Sequence, residues 1–266
     1  MESNQFTRLH FTYEMRVTYE KPVTGCHFTI KALPQDTARQ KILSVSHTFS
    51  PAAVPMHGQD GFFNRQLYGT VTVPHREFRY RLDGVAQTEN APYEMVDTPG
   101  QAMRYRHPFG LNRPGPGIRA YFAGMADALP QGGYDRAISL LHRLHHEFAY
   151  VTGITTPATG AEDAWRLGGG VCQDYVHVYL ALCHLAGIPA RYVAGLVRGD
   201  GQSHAWAEIL HEGRWIGVDP ANDCPVTAGY VRFGCGRDAT GCQLNRATLL
   251  GGGAQTLHVT ATVKEE

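Results

Sequence analysis

Hydrophobic and polar residues alternate along the first part of the chain. From Leu9 to Tyr19 an apolar side chain falls at every second position, which is the period of a half-buried β-strand. Lys21-Pro22 is expected to end this strand. Similar apolar segments follow, separated by stretches with proline and glycine, at Cys26 to Leu33, Ile42 to Phe49, Leu67 to Val73 and Glu77 to Thr88. The first hundred residues are therefore predicted to form an antiparallel β-sandwich.

A change of composition marks the segment between about Asn90 and Gly117, where proline and glycine replace any periodic pattern. We predict a domain boundary here, with a β-rich domain at residues 1–108 and a second domain at residues 109–266. Because the segment is longer than most connections in compact domains, we expect it to pack along a domain surface.

A helical period replaces the alternation after this boundary. Between Asp135 and Val151 apolar residues recur at steps of three and four, and Asp135 is expected to cap the helix. A second helix is predicted from Cys172 to Ala186. Strands should follow at Ala190 to Val197, Ser203 to Leu210, Arg214 to Val218, Tyr230 to Gly234 and Thr256 to Val263. Helices followed by an antiparallel sheet indicate an α+β fold.

Composition and charge exclude several classes of function. Lys+Arg and Asp+Glu both number 24, so the formal net charge is +0 and gives no overall attraction to nucleic acid or acidic membranes. The first residues lack the pattern of a secretion signal, and no apolar run reaches membrane-spanning length. The six cysteines do not have the spacing of a disulfide framework. We therefore expect a cytoplasmic protein with reduced thiols and no nucleic-acid or membrane partner.

A candidate nucleophile lies at the predicted start of the second helix. Cys172 follows the glycine run 168–170, and the first N–H groups of a helix have no partners within it. Both these groups and the helix dipole favour a thiolate over a thiol. A reactive cysteine is therefore expected at this position, and the N–H of Cys172 is the expected first donor to an oxyanion.

Two further candidates lie on a predicted hairpin. If its turn is centred between His211 and Glu212, His204 and Asp219 are directly opposite each other, with Cβ atoms about 4.5–5.5 Å apart. A three-residue loop would leave them diagonal but still near. Histidine can accept a proton from cysteine and later donate one to a leaving amine, while Asp219 would fix its tautomer. The pattern predicts nucleophilic acyl transfer.

Other side chains near these three are candidates for contact with the oxyanion or the substrate. They are Gln173, which follows the cysteine, Trp206, which is two residues from the histidine, and Tyr192 on a preceding strand. Core packing is the alternative for the tryptophan and the tyrosine. No sequence feature identifies the second oxyanion donor.

The motifs that carry these residues resemble the transglutaminase-like superfamily of cysteine enzymes, particularly bacterial members with a β-rich N-terminal region. The resemblance extends over residues 170–175, 186–195, 203–208, 215–222 and 231–238. It implies a papain-like core of helices packed on an antiparallel sheet, within the domain at residues 109–266. It also implies that Cys172 is the nucleophile, His204 the base and Asp219 the orienting acid, without a cofactor.

The resemblance leaves the reaction open, because similar folds serve proteolysis, amide hydrolysis, deglycosylation and amine transfer. We expect a cysteine hydrolase that cleaves a peptide or amide bond in a peptide or protein substrate through a thioester. Transfer of the acyl group to an amine, as in protein-glutamine transamidation, is the first alternative. A non-catalytic binding module on the same fold is the second.

Metal binding is not expected. Cys224, Cys235 and Cys242 lack ligand pairs two to four residues apart. His142, His145 and His146 fail to make the His-Glu-x-x-His pattern and are expected to form a solvated polar face. Cys183 is expected to lie in the core.

Overall fold

The computed structural model describes residues 6–90, 93–95 and 100–266. Its strands are β1 (Phe6–Ile30), β2 (Gln40–Ser50), β3 (Met56–Gln59), β4 (Arg65–Val71), β5 (His75–Glu89), β6 (Tyr93–Met95), β7 (Ala149–Tyr150), β8 (Gly169–Gly170), β9 (Ala190–Val197), β10 (Gly199–Gly201), β11 (His204–His211), β12 (Arg214–Asp219), β13 (Cys224–Pro225), β14 (Tyr230–Gly236), β15 (Asn245–Gly251) and β16 (Gln255–Glu265). Its α-helices are α1 (Pro116–Met125), α2 (Gly133–Glu147), α3 (Ala161–Leu167) and α4 (Cys172–Leu185).

An eight-stranded antiparallel sheet contains the N-terminal strands, and a six-stranded antiparallel sheet lies against the helices. The predicted α+β fold with an N-terminal antiparallel β region is confirmed. Phe28 contacts Phe49 and Phe78 with ring centroids 4.9 and 5.3 Å apart, so the second half of β1 packs against β2 and β5 as expected in a sandwich. Among the described helices, none has the length and apolar character needed to cross a bilayer.

The predicted end of the first strand at Lys21-Pro22 is wrong, because β1 continues to Ile30. Its first half pairs with β5 and β16, and its second half pairs with β4 and β15. Lys21-Pro22 lies between these two sets of partners, where the register with β5 shifts between Thr18 and Val23. A proline that cannot donate a hydrogen bond is tolerated at such an irregularity.

Strands from the end of the chain complete the N-terminal sheet. The predicted strand Thr256 to Val263 forms as part of β16, but it pairs with β1 and not with the sheet of the helical core. Leu196, Val231 and Phe233 from the second half of the chain are buried in the core of the first sheet. The division between residues 108 and 109 stays a prediction, and residues 91–92 and 96–99 of the predicted boundary lie outside the described residues.

The helix predicted to reach Val151 ends at Glu147. Phe148 has an extended backbone, with φ −118° and ψ 124°, and β7 then pairs in parallel with β8. Asp135 lies in the first turn of α2, while Gly132 is its N-cap. Because of this early end, Tyr150 lies beside the glycine run that precedes Cys172.

Helix α4 packs on one face of the six-stranded sheet. Its apolar side chains share a core with Ala205 and Ala207 of β11 and with Ile216 and Val218 of β12. Since side chains alternate along a strand, His204 and Asp219 are directed to the other face. Both lie at strand ends, and there they meet the beginning of α4.

Candidate active site

Cys172 is the first residue of α4, as predicted. Val171 before it is extended, with φ −104° and ψ −177°. The buried Asp174 side chain fixes this entry, because its Oδ2 accepts hydrogen bonds from the Val171 N–H at 2.8 Å and from Thr155 Oγ1 at 2.7 Å. The thiol is therefore held at a helix N-terminus by a capped turn.

His204 and Asp219 are in contact, although their predicted register is wrong. His211 lies opposite Arg214, so the hairpin turns at Glu212-Gly213, two residues that both have positive φ, as in a type I′ turn. His204 and Asp219 are consequently diagonal neighbours. The length of the imidazole closes the gap, and its Nε2 lies 2.6 Å from Asp219 Oδ2.

Asp219 is fully buried and surrounded by donors. Its Oδ1 accepts from the N–H groups of Ala221 and Asn222 at 3.0 and 3.2 Å, and its Oδ2 accepts from Asn222 Nδ2 at 2.8 Å and Tyr230 Oη at 2.9 Å. Burial raises the pKa of Asp219, but the hydrogen bonds from His204, Asn222 and Tyr230 outweigh it and hold the pKa below its ordinary value. The carboxylate is therefore ionised at neutral pH.

The protonation of His204 follows from its two partners. Burial lowers its pKa, but the hydrogen bonds to Asp219 and to the Cys172 thiol, with the charges of both groups, raise it to about 10. An imidazolium is therefore favoured at neutral pH, beside the thiol and the buried carboxylate.

A cavity of about 750 Å³ opens onto Cys172 and His204. One wall consists of Tyr150, Thr152 and Pro157 from the segment after α2, and another of the connection between β9 and β11. The third wall includes Leu257 and Val259 of β16. Because β16 belongs to the N-terminal sheet, both sheets contribute to this cavity.

The three candidates for oxyanion or substrate contact have different surroundings. Gln173 and Tyr192 both line the cavity. Gln173 Nε2 donates to the Pro157 carbonyl at 3.4 Å, and the Tyr192 ring lies 5.4 Å from that of His177. Trp206 is only 2% exposed and packs against Tyr230 with centroids 5.3 Å apart, away from this cavity. The geometry therefore gives Trp206 a packing role behind His204, and not a contact with substrate.

Sequence reasoning missed three residues of the site. Asn222 lies three residues after Asp219, a spacing that permits an Asx-type turn, so this contact could have been foreseen. Tyr230 comes from another strand and has no local signal. The helical spacing places Tyr150 in a helix, but in the structure it lines the cavity with 58% of its surface exposed. Partial burial and the Cys172 thiol raise the pKa of Tyr150.

Two of the three histidines of α2 contact the turn after Asp219, although a solvated face was expected. His142 Nδ1 lies 2.6 Å from Asp223 Oδ1, and His145 Nδ1 lies 3.3 Å from the Pro220 carbonyl oxygen. These contacts connect α2 to the loop that holds the carboxylate. Within the described residues, no three histidine, cysteine or acidic side chains are grouped so that they could hold a metal.

Comparison with known proteins agrees with this fold. The sequence matches the Transglutaminase-like superfamily over residues 122–220 and the Bacterial transglutaminase-like N-terminal region over residues 9–87. An uncharacterized protein of Mycobacterium tuberculosis is 28% identical over 87% of this chain and 84% of its own length. An uncharacterized protein of Mycobacterium leprae is 24% identical over 96% of this chain and 98% of its own length.

A solved structure from Cytophaga hutchinsonii, provisionally called a cysteine protease, superimposes with a TM-score of 0.79 and 19% identity, over 98% of this chain and 92% of that one. At this identity the likeness concerns the fold. A protein-glutamine gamma-glutamyltransferase of Pseudomonas aeruginosa is 35% identical over 100 residues, which are 31% of this chain and 15% of that protein. The two family matches together span most of the chain, which belongs to the transglutaminase-like superfamily and carries its bacterial N-terminal region.

Proposed function

We propose that the protein is a cysteine hydrolase of peptide or amide bonds. The observation that carries the proposal is the position of His204, between the buried Asp219 carboxylate and the Cys172 thiol at the wall of a 750 Å³ cavity. Membership of a superfamily that consists largely of cysteine enzymes supports it. The complete set of nucleophile, base and orienting acid argues against a non-catalytic binding module, since binding does not require these three together.

The reaction has two halves. The Cys172 thiolate attacks the carbonyl carbon of the substrate. The oxyanion that forms accepts a hydrogen bond from the backbone N–H of Cys172. When the C–N bond breaks, His204 donates its proton to the leaving amine, and a thioester remains. His204 then takes a proton from water, which attacks the thioester. The C–S bond breaks, so the carboxylic acid leaves and the Cys172 thiolate is restored beside the His204 imidazolium. Asp219 holds the imidazole in orientation throughout.

The side chains next to Cys172 would complete the oxyanion site. Gln173 and Tyr192 line the cavity and can donate hydrogen bonds. Burial raises the pKa of Tyr192 far above its ordinary value, so its hydroxyl keeps its proton. We assign the substrate to peptides or proteins, and we expect the enzyme to be cytoplasmic and to need no cofactor.

Amine transfer is the second candidate, favoured by the local 35% identity to a protein-glutamine gamma-glutamyltransferase. The two reactions share the thioester and differ in the acceptor that resolves it. The protein is incubated with a glutamine peptide, a labelled primary amine and a peptide library, and the products are identified by mass spectrometry. If the protein is a hydrolase, the products should be peptide fragments or ammonia. If the labelled amine became attached to the peptide, amine transfer would replace hydrolysis as the proposed reaction. If no product depended on Cys172, both proposed reactions would be wrong.

A further inference from the structure

The connection between β9 and β11 contains an unusual short strand. β10 pairs with β16 through Gly199–Val263, Asp200–Thr262 and Gly201–Ala261. In the described part of the chain it is the last strand on this side of the eight-stranded sheet, and its three residues are exposed. One edge of β10 is therefore paired, while the N–H and C=O groups of the other edge are available to another chain.

This free edge lies beside the reacting groups. All nine residues from Val197 to Ala205 line the cavity that contains Cys172, and β10 leads through Gln202 and Ser203 directly to His204. An extended chain that paired with β10 would therefore be led to the thiol. Its reacting carbonyl would lie at the end of the paired segment.

We infer that β10 is the substrate-binding strand: an extended peptide pairs its backbone with the free edge of Gly199–Gly201 and so delivers one of its bonds to Cys172. This inference rests on the proposed function and names its substrate class. In strand addition the main-chain hydrogen bonds supply affinity, and alternate side chains enter pockets that supply selectivity.

Residues of the N-terminal sheet also line this cavity. Leu257 and Val259 of β16 and Tyr13 of β1 line the same cavity, and Leu257 is 50% exposed. The exposed Leu257 therefore gives the cleft an apolar surface that a side chain of a bound peptide can contact. The β-rich region thus forms part of the substrate cleft.

The charged side chains of the cavity wall restrict the class of substrate further. Besides the reacting groups, its lining contains two charged side chains, Arg198 and Asp200. Arg198 pairs with Glu265 at 2.9 Å, and Asp200 accepts a hydrogen bond from Thr262 at 2.8 Å. The volume is within the range of sites for small ligands, roughly 300–1,000 Å³. The cleft therefore fits a few uncharged residues of a flexible segment, and not a folded surface.

Backbone methylation of a substrate tests the pairing. A casein digest is searched for a peptide that the full-length protein cleaves, and this peptide is resynthesised with one N-methyl group at a time, leaving the scissile amide unchanged. Methylation at alternate positions on one side of the scissile bond should raise KM by about five- to tenfold each, the effect of one lost hydrogen bond. N-methylation on the other side of the scissile bond should change KM little, because β10 approaches the site from one direction.

Two leucines of the same sheet provide matched variants. Leu257→Ser alters the cavity wall, whereas Leu250→Ser alters an exposed side chain of β15 that does not line the cavity. The inference predicts a higher KM for the peptide in Leu257→Ser and an unchanged KM in Leu250→Ser. Hydrolysis of p-nitrophenyl acetate, compared with that by Cys172→Ala, reports on the thiol chemistry without a peptide.

The outcomes separate the two proposals. Peptide cleavage with KM insensitive to N-methylation, or with the two leucine variants alike, would overturn the inference and leave the proposed hydrolase standing. Ester hydrolysis without cleavage of any peptide would overturn the inference too, because the substrate class would be wrong. If neither ester nor peptide were turned over, both proposals would fall.

Discussion

His204 Nε2 lies 2.6 Å from Asp219 Oδ2, although the two residues are diagonal and not directly opposite in their hairpin. The carboxylate is fully buried and receives four more hydrogen bonds, from Ala221, Asn222 and Tyr230. It can therefore hold the imidazole in one orientation and stabilise its positive charge. This relationship determines the pH dependence that we expect for the proposed reaction.

Asp219→Asn should move the alkaline limit of activity to lower pH. The pKa of His204, lowered by burial, is raised to about 10 chiefly by the hydrogen bond to Asp219, so the imidazolium is present below about pH 10 and lost above it. Without the carboxylate the pKa falls, and the alkaline limb of kcat/KM shifts towards pH 6.5. At pH 9 we expect kcat/KM of Asp219→Asn to be about 100-fold lower than that of wild type. Asp163→Asn, at an exposed position of α3, is the control. An unchanged limb in Asp219→Asn would contradict the assignment.

Tyr230→Phe should destabilise the protein through Asp219. The variant removes a hydrogen bond to a buried carboxylate, which costs about 1.5–3 kcal/mol in the free energy of unfolding. Because Asp219 has a lowered pKa, its contribution to stability is present above pH about 4 and is lost as the pH falls. In Tyr230→Phe the pKa of Asp219 rises towards its ordinary value, so the acid-dependent loss should be smaller and should be complete at a higher pH than in wild type, as measured by urea unfolding between pH 3 and 7.

Cys224→Ala is the control for this variant, because it removes the other contact of the Tyr230 hydroxyl, at 3.6 Å, without altering Asp219. Equal pH dependence in Tyr230→Phe and Cys224→Ala would show that the hydroxyl does not stabilise the carboxylate.

Glu208→Gln should be strongly destabilising. Glu208 is buried, with Arg191 Nε at 2.5 Å and Arg232 Nε at 3.4 Å, and Glu208→Gln removes the carboxylate charge from beside both cations. The expected loss in the free energy of unfolding at pH 7 is about 3–5 kcal/mol. Glu77→Gln is the control, because Glu77 forms an exposed pair with Arg79. This variant should change the free energy of unfolding by less than about 0.5 kcal/mol.

The difference between wild type and Glu208→Gln should shrink in acid. Burial raises the pKa of Glu208, but Arg191 and Arg232 outweigh it and hold the pKa below its ordinary value of 4.5. The stability due to this charge is therefore present above about pH 4.5 and lost as the pH falls. A difference that stayed constant from pH 7 to pH 3 would mean that the carboxylate is not paired.

Residues 109–266 alone should not fold into a stable unit. In the full chain β16 pairs with β1 from Leu9 to Tyr19, and Leu196, Val231 and Phe233 are buried in the N-terminal core. Without these partners the fragment would expose a strand edge and an apolar surface. Circular dichroism measures the secondary structure of the fragment, and urea unfolding measures its stability. Both are compared with the same measurements on the full chain. Cooperative unfolding of the fragment would show that the predicted boundary separates independent domains.

Local patterns predicted most elements, and tertiary contacts account for the failures. The helix predicted from Cys172 to Ala186 forms at Cys172–Leu185, and the strand Ala190–Val197 forms with the predicted bounds. Periodicity could not reveal that Thr256 to Val263 crosses back to β1, since both sheets need alternating strands. The helical spacing of Phe148 and Val151 gave a wrong prediction, because α2 ends at Glu147, before both residues.

The candidate site shows the same limit. The types and order of Cys172, His204 and Asp219 were readable from the motifs, whereas the hairpin register was not, because Glu212-Gly213 takes the turn that His211-Glu212 was expected to take. For Trp206 the sequence left substrate contact and core packing open, because proximity along a strand does not reveal which cavity a side chain faces. Tyr230 reaches Asp219 from a separate strand, and only the folded chain brings them together.

Selective alkylation of Cys172 tests the central claim most directly. At about pH 6 an ordinary thiol, with a pKa of about 8.5, reacts slowly because little thiolate is present. Labelling by iodoacetamide is followed by mass spectrometry in wild type, Cys172→Ala and His204→Ala, with Cys224→Ala as the control thiol. We predict rapid modification of Cys172 in wild type and in Cys224→Ala, and slow modification in His204→Ala. Labelling of wild type no faster than that of Cys172→Ala would contradict a thiolate held beside the imidazolium.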